Sequence, residues 1–211
     1  TTISSNIKLR SEYEQLEGYD IESDMNIIMQ QAQYLSKTID DFRNFIRNTK
    51  DSQKLSLKDT IEKTLSILHS AMINNSITII CDLKEDMNIE GYENELIQSF
   101  INIINNAKDA IKENVKNDEK LIFINTIKED SSLIITIKDN GGGIPDNIIN
   151  RIFEPYFTTK NKNVGTGIGL SMTYKMITER HNASIDVYNE EYTYNNKNYK
   201  GACFKITFKG K

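Results

Sequence analysis

Three stretches of this sequence carry residue types that could do chemistry together. Asp139-Asn140-Gly141-Gly142-Gly143 follows directly on an alternating apolar run that ends at Lys138. A carboxylate only accepts hydrogen bonds, so Asp139 at a strand end can take one from an exocyclic amine such as that of adenine. The glycines behind it let the backbone turn sharply and approach a flat ligand closely. The same five residues also make an ordinary surface turn. Gly165-Thr166-Gly167-Ile168-Gly169-Leu170 opens a helical pattern. Unpaired N–H groups and the dipole at a helix N-terminus favour an anion, and phosphate is the natural candidate; a flexible loop is the competing explanation. In Asn102-Ile103-Ile104-Asn105-Asn106-Ala107, three asparagines fall within five positions of a helical pattern, although asparagine is a poor helix former. Asn102 and Asn106 are four apart and share a face. An amide oxygen there can coordinate a hard cation such as Mg²⁺ beside a phosphate, with a solvated helix face as the alternative.

These residues need elements to hold them. Residues 93–113 form a long helical pattern with Leu96, Ile97, Phe100, Ile103, Ile104, Ala107 and Ile111 on one side. Residues 58–72 repeat Ile61, Leu65, Leu68 and Met72 at helical spacing, and residues 167–180 predict a third helix. Residues 76–83, 121–127, 132–138, 184–188 and 202–208 are rich in β-branched or alternating apolar residues and predict strands. Helices and strands mixed in this way imply a two-layer α/β sandwich over residues 51–211. The first 50 residues differ. Met25, Ile28, Ala32, Leu35, Ile39, Phe42 and Ile46 alternate steps of three and four, an a/d heptad seam. Residues 1–17 are also helix-compatible, with a turn near Gly18. One hairpin would expose its seam and two would bury it, so residues 1–50 predict a four-helix bundle in a homodimer. The polar stretch 48–54 is the expected linker.

Composition narrows the classes. The 211 residues suit one core plus a helical extension. A net charge of -4 argues against a general nucleic-acid binder. No run of 18 uncharged apolar residues exists, so this segment is not expected to contact a membrane; a cytoplasmic location is expected, with a membrane anchor elsewhere in a longer parent left open. Cys81 and Cys203 lie in apolar runs and read as small buried hydrophobes. With two histidines and no CxxC, a Cys/His metal centre is excluded.

In order and spacing the three stretches resemble the N, G1 and G2 boxes of the sensor histidine kinases, within the gyrase, heat-shock, kinase and mismatch-repair ATPase superfamily. Phe153-Glu154-Pro155-Tyr156-Phe157-Thr158-Thr159-Lys160 is similar to that family's F box, and Gly201-Ala202-Cys203-Phe204 to its closing strand. The resemblance covers about residues 55–211, and the heptad hairpin resembles the dimerisation domain that precedes it. It implies an α+β fold of the histidine-kinase/gyrase ATPase type, ATP and Mg²⁺ as cofactors, and the receiver domain of a response regulator as partner. Asn106 would hold Mg²⁺, with Asp109 beside it. Asp139 would read the adenine amine, and Gly141, Gly143 and Ile144 would shape its pocket. Gly165, Thr166, Gly167, Ile168, Gly169 and Leu170 would shape the phosphate end. Residues 144–164 would form the ATP lid, from which Lys160 or Lys162 could reach the phosphates. In hydrolysing relatives the residue four before the Mg²⁺ asparagine is typically a glutamate that activates water. Here it is Asn102, which takes no proton at neutral pH, so Asn102 and Asn106 as catalytic residues point to phosphoryl transfer.

The family's transfer needs an acceptor histidine on the first hairpin helix. His69 lies among Leu65, Leu68 and Met72, where a packed or half-exposed structural role is expected. His181 ends a helix, where a cation suits the dipole. Thr1-Thr2-Ile3 resembles the residues just after the family's H box, so the acceptor is expected upstream of residue 1. The expected activity is that of an ATP-dependent protein-histidine kinase lacking its phosphoacceptor. A non-catalytic ATP-binding regulatory dimer, an ATP-driven clamp and a serine-directed kinase stay open at this level.

Overall fold

The computed structural model describes residues 52–84, 88–116, 118–160 and 166–209, with helical positions at 25, 26, 28, 29 and 32. Apart from those positions, the expected hairpin of residues 1–50 and the homodimer it would form lie outside the described residues. So do Lys162 and Gly165.

The described chain is an α+β sandwich. In order it runs β1 (Gln53–Ser56), α1 (Leu57–Ile73), β2 (Ile77–Asp82), β3 (Asn88–Gly91), α2 (Glu93–Asn114), β4 (Lys120–Glu129), β5 (Ser132–Asp139) and a short α3 (Asp146–Ile149). Then come α4 (Gly169–Lys175), running into a π turn (Met176–Arg180), β6 (Ala183–Tyr194) and β7 (Lys197–Lys209). The main sheet has the order β2-β4-β5-β7-β6, and β1 pairs with β3 apart from it. Only β2 and β4 run parallel; the other pairs of the main sheet are antiparallel.

Each helix buries the stripe its spacing presents. Ser56 caps α1 through a bond from Asp59 N to its Oγ of 3.2 Å, and Leu57, Ile61, Leu68 and Met72 turn inward. Helix α2 contributes Leu96, Phe100, Ile103, Ile104, Ala107 and Ile111, and these pack on Ile122, Ile124, Ile135, Ile137, Phe204 and Ile206 of the sheet. Burial of this one continuous apolar face, at roughly 25 cal/mol per Å², holds the layers together.

Four expectations are corrected. The expected linker 48–54 ends inside a strand, because Gln53–Ser56 pairs with Asn88–Gly91. The last two strands are much longer than 184–188 and 202–208, since Asn189 to Thr193 pair with Asn198 to Ala202 around Asn195-Asn196. Both asparagines have positive φ, 49° and 62°, the geometry of a two-residue hairpin turn. This arm is polar, so hydrophobic alternation could not reveal it. Cys81 is exposed on edge strand β2, whereas Cys203 is buried. His69 is exposed on α1.

Candidate active site

Helix α2 is the spine of the site. Asn102, Asn106, Ala110 and Asn114 recur at four-residue steps along one face of it. At 1.5 Å rise per residue they span about 18 Å. Asn102 touches one glycine segment and Asn114 the other. The Asn102 amide nitrogen donates to Gly169 O at 3.2 Å and Thr173 Oγ1 at 3.3 Å, and its oxygen accepts from Gln98. The Asn114 amide nitrogen donates to Gly141 O at 2.8 Å. Asn106 therefore stands between the two glycine segments, a little over one turn from Asn102.

At the Asn114 end, strand alternation decides the orientation of Asp139. Leu133, Ile135 and Ile137 face the helices, and two residues further on Asp139 does the same, opposite Ile122. The residue is 3% exposed. Oδ1 accepts from Gly141 N at 2.7 Å and Ala202 N at 3.3 Å. Burial pushes its pKa up to about 6, against the lowering effect of those two N–H groups. Among the described residues Oδ2 has no protein partner, which leaves an acceptor for an amine donor. Asn140 is a different kind of polar residue: its amide bonds Leu121 N and Glu119 O and anchors the start of β4.

The glycines here answer to neighbours. A Cβ on Gly141 would come 2.9 Å from Ala110 Cβ, and one on Gly201 would overlap the Asp139 carbonyl oxygen. Gly143 has φ +87°, and a side chain there would meet Asn189 Oδ1 at 2.5 Å. Asn189 accepts from Ile144 N and donates to Ile144 O, both at 2.7 Å.

At the other end, Gly167 (φ +65°) lies back to back with Tyr156, which itself has φ 65°. Tyr156 N donates to Gly167 O at 2.9 Å, and any Cβ on Gly167 would overlap the Tyr156 backbone. Thr166 Oγ1 accepts from Ile168 N at 3.3 Å, Leu170 packs half-buried on the core, and Gly169 begins α4. The Lys160 ammonium lies between Asn106 Oδ1 (3.2 Å) and Asp109 Oδ2 (2.6 Å). These two oxygens, three residues apart on α2, already hold one cation. The same donor set suits Mg²⁺, which takes one or two protein oxygens and completes its octahedron with phosphate and water.

His181 corrects the expectation of a cation. It is buried, and burial lowers its pKa. Its Nε2 accepts from Tyr92 N at 3.0 Å, so Nδ1 carries the proton and donates to Met176 O at 2.9 Å. The neutral ring staples the π turn to the start of α2. A Cβ on Gly91 would overlap that ring. Nearby, Arg180 pairs with buried Glu95 at 3.2 Å and stacks over Tyr92 at 4.1 Å.

The structure thus brings Asn102, Asn106, Asp109, Lys160, Asp139, Gly141, Gly143, Ile144 and the stretch Thr166 to Leu170 along one side of α2. Sequence reasoning missed Asn114, Asn189 and Tyr192, whose hydroxyl donates to Asp139 O at 3.0 Å. The four-residue repeat of asparagine along α2 was a signal for Asn114. Nothing local signalled the other two.

Histidine kinase-, DNA gyrase B-, and HSP90-like ATPase is the family that matches, over residues 91–211. The chain belongs to that family and carries a catalytic domain of the histidine-kinase ATPase type. It is 36% identical over 155 residues to sporulation kinase A of Bacillus subtilis, covering 73% of this chain and 23% of that protein. It is 31% identical over 166 residues to the signal transduction histidine-protein kinase AtoS of Escherichia coli, covering 77% of this chain and 26% of that one. The chain therefore spans about a quarter of the length of these two relatives. Among solved structures, the histidine kinase AdeS of Acinetobacter baumannii superposes with a TM-score of 0.65 at 18% identity, covering 99% of this chain and 95% of that one. The histidine kinase ThkA, solved in complex with the response regulator protein TrrA, superposes with a TM-score of 0.64 at 18% identity, covering all of this chain and 57% of that one.

Proposed function

We propose that this domain binds Mg-ATP along α2 and hands the γ-phosphate to a histidine side chain, for relay to a response-regulator aspartate. The observation that carries the proposal is Asn102. It occupies the place where a hydrolysing relative would hold a water-activating glutamate, and both ends of its amide are engaged with protein partners. An amide takes no proton at neutral pH, so Asn102 does not activate water.

Phosphoryl transfer asks mainly for positioning and charge neutralisation. Asp139 accepts from the adenine amine through Oδ2, and its burial excludes competing water. Asn106 and Asp109 would hold Mg²⁺, whose chemical contribution when bound is to neutralise phosphate charge. Lys160, already on those two oxygens, supplies a mobile positive charge at the same end. The acceptor is neither histidine of this sequence: His181 is buried with both ring nitrogens bonded, and His69 belongs to α1 within the catalytic domain itself. A histidine on a helical hairpin of the kind expected for residues 1–50, in a homodimer, fits the family pattern, and a receiver domain is the partner downstream. No helix among the described residues is long and apolar enough to cross a membrane.

The test supplies a longer chain whose hairpin carries a histidine, together with radiolabelled ATP. Acid-labile, base-stable phosphate on protein is expected, reduced at least about a hundredfold by Asn106→Ala. Asn102→Glu is expected to raise inorganic phosphate release. Steady hydrolysis by the unsubstituted domain, outpacing labelling, overturns the proposal.

A further inference from the structure

We infer that Asn189, at the base of the polar β6–β7 arm, is a positioning residue that sets adenine recognition without spending a group on the nucleotide. This rests on the placement of adenine at Asp139 proposed above.

The loop from Asp139 to Ile144 contains three consecutive glycines, two of them at φ +89° and +87°. Such a segment is the most freely jointed that a chain can make, and left alone it would hold no fixed wall against a flat ligand. Its order comes from across the sheet. Asn189 bonds both backbone groups of Ile144 at 2.7 Å, across 45 residues of sequence. Both polar atoms of that amide are thereby used. Lys200 O accepts from Gly142 N at 3.0 Å, and Tyr192 donates to Asp139 O at 3.0 Å. Gly201, lacking a side chain, lets β7 lie against the Asp139 carbonyl. Asn189 and Tyr192 on β6, with Lys200 and Gly201 on β7, thus engage residues 139, 142 and 144.

The arm is itself braced. Lys138 pairs with Glu190 at 3.1 Å and lies 3.9 Å over the Tyr192 ring, while Phe123 meets Tyr192 and Tyr194 edge-on at 5.5 and 5.0 Å. The polar arm, residues 189–200 of these two strands, adds no residue to the buried apolar core. Its contacts converge instead on the loop that follows Asp139. Asn189 therefore controls where Ile144 stands relative to the Asp139 carboxylate, and with it the discrimination of adenine from guanine.

The experiment measures dissociation constants of ADP and GDP with Mg²⁺ for the unsubstituted domain, Asn189→Ala, Tyr192→Phe and Asp139→Ala. Each variant is checked by circular dichroism and thermal melting. Asn189→Ala is expected to weaken ADP about tenfold, the equivalent of one to two net hydrogen bonds. The ADP-to-GDP preference should narrow with it. Tyr192→Phe removes a single bond and should cost about threefold in the same direction; it carries the test if Asn189→Ala does not fold. Unchanged ADP affinity and base preference in folded Asn189→Ala, with Asp139→Ala losing ADP, overturns the role of Asn189 alone. Retention of ADP by Asp139→Ala overturns the adenine placement and the inference with it. A melting temperature lowered without any change in base preference marks Asn189 as a structural staple only, and also overturns it.

Discussion

The two glycine segments of this site look alike in sequence and are held in different ways. After Asp139, the backbone is pinned by strands: β7 lies against Gly201, Lys200 O holds Gly142, and Asn189 closes on Ile144. In the other segment, among the described residues 166–169, support comes from Tyr156 N to Gly167 O, Met172 N to Ile168 O, Ile168 N to Thr166 Oγ1 and the Asn102 amide on Gly169 O. A sheet edge transmits rigidity because its ladder bonds are numerous and mutually supporting. A loop resting on another loop has only the contacts it makes. Among the described residues the Asp139 end is thus the more heavily braced, which under the proposed function suits a reaction in which the base stays and the phosphate changes.

The largest expected effect tests the rigid end. Gly201→Ala would drive a Cβ into the Asp139 carbonyl, part of a packed strand pair that cannot step aside. We expect a loss of roughly 3 kcal/mol of unfolding free energy or more, read by denaturant titration. A loss below about 1 kcal/mol would mean the strand pair yields, and the contrast between the two ends would weaken.

A second, somewhat smaller effect has the opposite sign. The Asp139 pKa is raised to about 6 in the folded protein, from an ordinary carboxylate value of 3.8. A raised acid favours the folded state fully below pH 3.8 and loses that stabilisation as pH climbs through about 6. Asp139→Asn should therefore be more stable than the unsubstituted domain at pH 7.5, by up to about 2–3 kcal/mol, with the gap shrinking toward pH 4. The same variant should bind ATP poorly. Matching stability profiles from pH 4 to 7.5 would show that the carboxylate is not desolvated as described.

The smallest effect belongs to the Asn106 end. Lys160 and Asp109 are each more than a third exposed, and such a pair contributes at most about 1 kcal/mol. Lys160→Met should leave the melting temperature nearly unchanged. It should strengthen Mn²⁺ binding to the domain without nucleotide a few-fold, because the cation no longer competes for Asn106 and Asp109. A drop in Mn²⁺ affinity would show that the lysine helps to hold the cation rather than standing in for it.

Much of the fold is legible in the sequence. The helical stripes of residues 58–72 and 93–113 and the alternation of Leu133, Ile135 and Ile137 are local patterns, set by 3.6- and 2-residue periods. They predicted the core-facing sides of α1, α2 and β5, and extending the second by two residues turns Asp139 inward. The spacing of Asn102, Asn106 and the glycine segments likewise marks stretches that the fold brings against one face of α2. His181 departs from its sequence expectation because a helix end predicts a solvated cation, while its surroundings come from Gly91 and Tyr92, about 90 positions away.

What the sequence alone determined was chemistry by period and spacing: which residues face inward, which loops can turn, and which oxygens share a helix face. Only the tertiary structure decided how those loops are held. Asn189 and Ile144 meet because β6 pairs with β7 and β7 with β5. Lys160 reaches Asn106 because the segment after α3 folds back over α2. Such contacts depend on strand order and packing, which join residues 45 to 54 apart, well beyond the reach of any local pattern.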